Sequence, residues 1–432
     1  MYNPSSSSPS VPPEIWLQIF RTATFIPGEW SVSATPSHPN EFTSSNGLHI
    51  RAYKAVLPLR RTIVQVSRLW WQIGSEVFYA SFHESLSRFR HIQALDHFER
   101  SLLSRPALGC FIKRLGLWWP RKGSSSQIDH ILQLCPNTRI LSFYNSNPDL
   151  SGPWEPRILV NHIRIFDAAV YILSQKSIVH MLSGLPNVEI LHLSGLKRER
   201  EESRHHGTLR LPLVHFLSLS FYDDQGIEYW TPLLSTADIP RLTSLSMSRG
   251  ASLPFTIDVW QRITFFTTRL RAYSTLKPEI FRSLTHLQLE LDEPPFRHQQ
   301  GHFPFHQLSH LTIIYRRINP DHAKWWKQTA EVILALNWSE MPLLKVVELQ
   351  WGYYGIHDFL DRISGDWIFG KESYFGAFLD YLESLAHNFE QVGVQFQEVY
   401  TEDMYLVPIS IKDVIKIVRD TMAIRLALPK TK

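Results

Sequence analysis

The chain has 432 residues, of which 44% are hydrophobic, 12% aromatic and 19% charged; that apolar share excludes wholesale disorder, and the length allows two to three domains or one elongated array. Two cysteines, Cys110 and Cys135, exclude a disulfide scaffold and a zinc site built mainly of thiolates. The formal charge of +4 is unevenly placed: residues 1–123 carry 14 Lys+Arg against 7 Asp+Glu (net +7), the remainder 30 against 33 (net −3). A basic N-terminal third is compatible with an acidic partner, protein or nucleic acid, but charge alone favours a solvated surface with a modest sign bias. No apolar run approaches the ~18 residues of a membrane span, and the N-terminus lacks a basic segment followed by an apolar one. The expectation is an intracellular protein, cytoplasmic and/or nuclear, with no membrane partner.

Residues 1–10 are Ser/Pro-rich and predict a disordered tail. Val11-Pro12-Pro13-Glu14 is a helix start, with Pro at the first helical position and an acid in the first turn. Ile15, Ile19 and Ala23 share one face of that helix, and Trp16 and Phe20 the neighbouring one. Pro27-Gly28 ends the pattern. Ser, Pro, Asn, Thr and Gly then predict a flexible insert over residues 27–56. Helical periodicity returns at Leu57 and runs through Ile63, Val66, Trp70, Ile73 and Val77. Residues 81–108 are expected to be linking helices.

From residue 109 to 409 an apolar triplet recurs, φ-x-x-φ-x-φ. Its copies are Ile112/Leu115/Leu117, Val188/Leu191/Leu193, Val214/Leu217/Leu219, Leu242/Leu245/Met247, Leu284/Leu287/Leu289, Leu308/Leu311/Ile313 and Leu344/Val347/Leu349. Weaker ones are Thr138/Leu141/Phe143, Val160/Ile163/Ile165 and Phe389/Val392/Val394. Most steps fall within the ~20–29 residues of a leucine-rich repeat. In a chain this apolar the triplet alone decides little. Five copies, however, are preceded by an apolar–Pro pair: Cys135-Pro136, Leu185-Pro186, Leu211-Pro212, Ile239-Pro240 and Met341-Pro342. Pro stops a helix, one apolar residue enters the core, and φ-x-φ makes a short strand. Helix-like stretches at Ile128–Leu134, Ile178–Leu185 and Trp325–Leu336 fill the intervals. The Asn or Cys that commonly follows the strand in such repeats is mostly missing. Ser410 with Asp413 starts a terminal capping helix over residues 410–432, with Ile411, Val414, Ile415, Val418 and Met422 on one stripe. The fold class predicted is α/β, an irregular leucine-rich-repeat solenoid behind a small all-α module.

Val11-Pro12-Pro13-Glu14-Ile15…Ile19-Phe20, followed by Val66-Ser67-Arg68-Leu69-Trp70, resembles the F-box, in the fungal F-box-like form that precedes irregular repeats. Val11 stands where the motif has Leu, and the stretch between its halves is longer than usual. The resemblance implies a helical module over residues 11–80 that docks a Skp-family linker protein and, through it, a cullin-based ubiquitin ligase. Its contacts would fall on Val11, Pro12, Ile15, Ile19, Val66, Ser67 and Trp70, while the repeats hold a protein substrate. The competing reading makes Ile15, Ile19, Val66 and Trp70 ordinary core residues. A repeat-based interaction scaffold without a ligase is the alternative function.

Catalytic signatures are absent. There is no G-x-S-x-G, Walker-type loop, G-x-G-x-x-G or H-E-x-x-H; no enzyme activity, cofactor or metal is expected. His205-His206 belong to a charged run, Lys197 to His206, that predicts a solvated loop, and Asp223-Asp224 predicts a turn. Cys135, in the apolar slot before Pro136, is expected to be buried and inert. Trp70, Trp71, Trp118 and Trp119 in the basic third do not amount to a nucleic-acid platform, since Trp70 lies on an apolar stripe. Along the repeats, residues between and just after the last two φ positions point away from the φ face: Gly116/Trp118, Ser142/Tyr144, His192/Ser194, Ser218/Ser220, Ser246/Ser248, Gln288/Glu290 and Glu348/Gln350. Trp118 and Tyr144 are the candidate substrate anchors, or else pack against the linking helices.

Overall fold

A computed structural model describes residues 11–24, 45–84, 91–118, 125–144, 154–169, 174–196, 208–247, 255–269, 281–291, 305–315, 341–350, 372–391, 393–402 and 405–427. The tail, most of the insert, Trp325–Leu336, Trp119, Ser248 and the run Lys197–His206 lie outside the described residues. The chain divides into two compact units, the first holding nearly everything up to Gly195 and the second nearly everything from Val214. Among the described residues no helix is long and apolar enough to cross a membrane.

The first unit opens with three helices, α1 (Pro13–Ala23), α2 (Ser45–Val66) and α3 (Arg68–Phe78). Pro13 starts α1 at no hydrogen-bond cost and Glu14 sits in its first turn. The helix closes at Thr24, whose amide and hydroxyl both donate to the Phe20 carbonyl. Helix α2 begins at Ser45, so residues 45–56, expected within the flexible insert, are helical. The Gly, Asn and Pro residues suggested a loop; Tyr53, buried at the middle of α2, supplies the tertiary anchor that local propensity lacks. The periodic run from Leu57 is also cut in two. Ser67 takes an extended conformation and its hydroxyl accepts the Trp70 amide at 3.1 Å, capping α3. Phe20, Ile63 and Val77 form the core of the module, with Trp16, Leu17, Trp70 and Ile73 packed against it. Gly74 permits the helices to meet: a Cβ there would lie 2.6 Å from Ile63 Cγ2.

The sheet starts earlier than expected. β1 (Ser81–His83) lies in the stretch predicted as linking helices, before α4 (His91–Ser104) and a 3-10 turn at Pro106–Phe111. It pairs in parallel with β2 (Arg114–Trp118), then β3 (Ile140–Tyr144), β4 (Ile165–Ala169) and β5 (Ile190–Leu196). Helices α5 (Ser125–Leu134) and α6 (Gln175–Ser183) return the chain. Register aligns Leu115, Leu141, Phe166 and Leu191, and beside them Leu117, Phe143, Ala168 and Leu193; all eight are buried. The fourth repeat is therefore Ile163/Phe166/Ala168, and the Val160/Ile163/Ile165 triplet is misplaced by three residues. A small Ala in the last core slot hid the true register.

The second unit runs β6 (Phe216–Phe221), β7 (Ser244–Met247), β8 (Phe265–Arg269), β9 (His286–Leu291), β10 (His310–Tyr315), β11 (Val346–Gln350) and β12 (Gln395–Glu402), all parallel; β13 (Tyr405–Ser410) closes it antiparallel. Helices α7 (Asp224–Ser235), α8 (Ile257–Arg262), α9 (Glu372–Gln391) and α10 (Ile411–Ala427) accompany it. β8 occupies the long gap between Met247 and Leu289. Its core triplet is Ile263/Phe266/Thr268, and Thr in the last slot concealed it. The Phe389/Val392/Val394 copy is also wrong: Phe389 is buried on α9, Val392 lies outside the described residues, and the strand begins at Gln395. Asp223 caps α7 rather than making a turn, accepting the Gly226 amide at 2.7 Å. On α10, Ile411, Val414 and Ile415 are buried, as the capping stripe requires.

The same turn precedes several of the strands. Cys135, Leu185, Ile239 and Met341 are buried, and the amide three residues on donates back to their carbonyls. Phe305 makes the same bond from Leu308 without any proline, and Phe281 is buried at the matching position. In place of the usual post-strand Asn, side chains just before the strands link neighbouring repeats. Thr264, Thr285 and Ser309 hydroxyls donate to the carbonyls of Thr243, Thr264 and Thr285 at 3.0–3.2 Å. In the first unit, the amides of Asn137 and Asn187 donate to Cys110 and Asn161 carbonyls.

Candidate functional site

With Phe20, Ile63 and Val77 filling the core, the helical module has apolar residues left over. Ile15 and Ile19 lie one turn apart along one edge of α1, with Val11 just ahead of its N-cap, and all three stand in solvent, Ile15 and Ile19 each 46% exposed. Pro12, at the N-cap of α1, is exposed beside them. At the corner between α2 and α3, Val66 is 54% exposed, Ser67 is exposed, and Leu59 and Leu69 are exposed as well. Trp70 alone of the seven F-box-like positions turns inward, its ring 4.8 Å from Phe20 and 5.0 Å from Trp16. The alternative that Ile15, Ile19 and Val66 are core residues is thus overturned for these three and holds for Trp70. Leu59 and Leu69 were not singled out by sequence. Leu59 lies seven residues before Val66, on the same helical face, and that spacing was the available signal.

The charge around this corner has one sign. Helix α2 contains no Asp or Glu along its 22 residues. Lys54 and Arg68 are exposed and Arg61 is half-buried. The acid of α3, Glu76, pairs with Arg21 of α1 at the surface, an ion pair of little energetic weight. Arg60 is different: it is buried, donates to the Thr24 carbonyl at 2.9 Å and lies 5.4 Å above the Tyr53 ring.

On the sheet face away from the φ residues, Trp118 and Tyr144 are half-buried rather than exposed. Tyr144 leans over Gly116, where a Cβ would lie 2.6 Å from its hydroxyl, and that hydroxyl reaches His83 Nδ1 at 3.2 Å. Burial pushes the Tyr144 phenol up to about 12. Trp118 sets its edge against Tyr144, centroids 6.1 Å apart, and its amide donates to Glu84 Oε2 at 2.8 Å. Neither ring packs as a bare anchor, and Tyr144 packs on β1 and β2 rather than on the linking helices. Other positions expected in solvent are enclosed too: Ser142, His192, Ser246, Gln288, Glu290 and Glu348 are buried. Strands about 4.8 Å apart crowd their long polar side chains into one another. Burial, then the neighbouring Arg114, lowers His192 to about 4; the same causes in the same order, with Arg60 added, hold His83 well below the ordinary imidazole range.

Among the described residues no group of three or more His, Cys, Asp or Glu could hold a metal. Cys135 is buried, and burial pushes its thiol up to about 12, far from a reactive thiolate.

The described residues define an α/β chain in which parallel strands alternate with helices behind a three-helix module carrying an exposed aliphatic edge. No protein-family model and no curated protein matches the sequence. A solved structure, a chain of the yeast Rad7–Elc1 complex, is similar at 12% identity with a TM-score of 0.27, over 71% of this chain and 92% of that one. A likeness at that score carries no structural argument.

Proposed function

We propose that this protein is a substrate-recruiting adaptor of a cullin-based ubiquitin ligase. Its F-box-like helices dock a Skp-family linker, and its strands form an irregular leucine-rich-repeat solenoid that holds the target. The observation that carries this reading is the aliphatic edge Val11/Ile15/Ile19 together with Val66, left in solvent although the module has a complete core. Exposed aliphatic residues on a folded helix gain nothing until a partner covers them, at ~25 cal/mol per Å². The absence of acids on α2, with Lys54, Arg61 and Arg68 nearby, suits a partner that is acidic where it meets the corner. The chain performs no chemistry of its own in this reading; it supplies proximity between a target and the ligase. It acts inside the cell, in cytoplasm or nucleus. On the repeat face, Trp118 is the residue offered to the target, with Tyr144 supporting it from beneath.

The test is co-purification of the full chain with a recombinant Skp-family linker and cullin. Pro12→Ala with Ile15→Asp places a carboxylate where docking would desolvate it, which costs several kcal/mol without a partner. Because Ile15 is exposed in the free chain, the variant stays folded. Loss of linker capture is expected; capture equal to wild type refutes ligase docking and leaves the scaffold reading, in which the same repeats bind partners without a ligase.

A further inference from the structure

Helix α2 faces two ways. Its exposed residues Leu59 and Val66 belong to the docking edge, while Tyr53 and Arg60 on the same helix are buried. The Tyr53 hydroxyl donates to the Ser81 carbonyl of β1 at 2.9 Å, and its ring lies 4.9 Å from the His83 ring. Arg60 ties the same helix to the end of α1 through Thr24. From β1 the contacts continue: His83 Nδ1 to the Tyr144 hydroxyl on β3, over the gap left by Gly116 on β2, and Tyr144 to the edge of Trp118. An unbroken set of polar and ring contacts therefore joins the docking helices to the first three strands, all within the first unit.

We infer that Tyr53 and His83 are positioning residues, holding the docking helices at one fixed attitude to the sheet that carries Trp118. The hydrophobic core of the module, centred on Phe20, Ile63 and Val77, contains no strand residue, and among the described residues α3 meets the sheet-bearing part chiefly at the 3-10 turn before β2. Hydrogen bonds have direction where apolar contacts do not, and the buried Tyr53–Ser81 bond restrains α2 at a point beside β1, while the Arg60–Thr24 bond restrains it about two turns further along, against α1. For its consequence in ubiquitin transfer the inference rests on the adaptor reading: an effective concentration of target at the ligase depends on a preserved geometry. The attitude itself is a property of the isolated chain.

The experiment uses that independence. Spin labels placed on the native exposed Cys110, which sits in the turn leading to β2, and on Thr22→Cys, exposed on α1, report the distance between module and sheet. Cys135 is buried and escapes labelling. In the full chain a single narrow distance distribution is expected. Tyr53→Phe with His83→Ala should at least double its width while linker affinity stays within twofold, since no docking residue is touched. Gly116→Ala reaches the same network from the other side, because its Cβ would meet His83 and Tyr144. It should broaden the distribution less. If the double variant fails to fold, Gly116→Ala decides alone. An unchanged distribution in a folded variant overturns the inference, whatever the linker does; a chain that never binds the linker but does broaden sinks the adaptor reading and keeps the positioning role.

Discussion

In the N-terminal helices, aliphatic side chains at Val11, Ile15, Ile19, Leu59, Val66 and Leu69 stand in water, whereas on the sheet faces polar residues at His83, Arg114, Asp167, His192, Gln288 and Glu348 are enclosed. Each region inverts the ordinary partition, and the two inversions have different physics. Exposed aliphatics leave the free chain almost as stable as it would be without them, so they can be kept for a partner. Buried polar groups act on the free chain itself: each must find hydrogen bonds inside or destabilise the fold. The first kind of site is therefore removable with little change in stability, whereas replacing a residue of the second kind shifts the stability of the free chain, down where its hydrogen bonds are met and up where they are not.

The sharpest way to break the comparison is on one helix. Phe20 and Ile19 are neighbours on α1, one 2% and the other 46% exposed. Phe20→Ala should cost about 3–5 kcal/mol, the usual range for a buried aromatic truncated in a packed core. Ile19→Ala should stay within about 0.5 kcal/mol. Urea unfolding of the two variants measures both; similar losses would mean that the α1 edge is core and not surface.

Acid probes the sheet of the first unit. In the unfolded chain an imidazole titrates near 6.5, and His192 in the fold near 4. The folded state thus binds fewer protons, and its stability is complete above pH 6.5 and is lost as pH falls from there toward 4. The loss through His192 is about 2 kcal/mol at pH 5 and about 3 kcal/mol at pH 4. His83, lowered for the same reasons, adds to it in the same direction. His192→Gln should flatten the pH dependence of the urea midpoint between 6.5 and 4. An unaltered slope would show that His192 is solvated in solution.

Strands with leucine at both φ positions were legible because a period of two, framed by a turn with one buried apolar residue, leaves few alternatives. Those that departed were hidden by single residues, Ala168 in β4 and Thr268 in β8; β9 and β10 kept the φ pattern although Phe281 and Phe305 are not followed by Pro. Strand β1, three residues long, carries too little pattern to recognise, and β13 follows no repeat at all. The candidate docking edge was not legible from periodicity. Trp16 and Phe20 on one face of α1, and Ile15 and Ile19 on the next, are equally apolar; only packing tells which pair faces inward. Resemblance to the F-box chose the outer pair, and Leu59 and Leu69, outside its motif contacts, were passed over. Likewise an alternating strand pattern marks which residues leave the φ face but not whether water reaches them, so it leaves open whether Tyr144 is an exposed anchor or packs inward.

The last effect expected is a gain. Gln288 is fully buried on β9, and among the described residues neither its amide nitrogen nor its oxygen has a hydrogen-bond partner; Thr267 Oγ1, at the facing position of β8, has none either. On the other side the Thr312 hydroxyl spends its proton on Glu348 Oε2 at 3.2 Å, so it offers no donor to the Gln288 oxygen. An unmet donor and acceptor cost the fold about 1–3 kcal/mol each, and replacing them by an apolar group of similar shape removes that penalty. Gln288→Leu keeps most of the volume, and its imperfect fit returns part of the gain, so a net stabilisation of about 1–2 kcal/mol is expected. Thr267→Val, which deletes a single unmet hydroxyl, should gain less. Both are read as shifts of the urea midpoint at pH 7.5, where His192 is neutral and the acid effect is absent. If Gln288→Leu instead loses stability, the amide is hydrogen-bonded in solution, and the enclosed row of the second unit is as well satisfied as the His83–Tyr144 contact of the first.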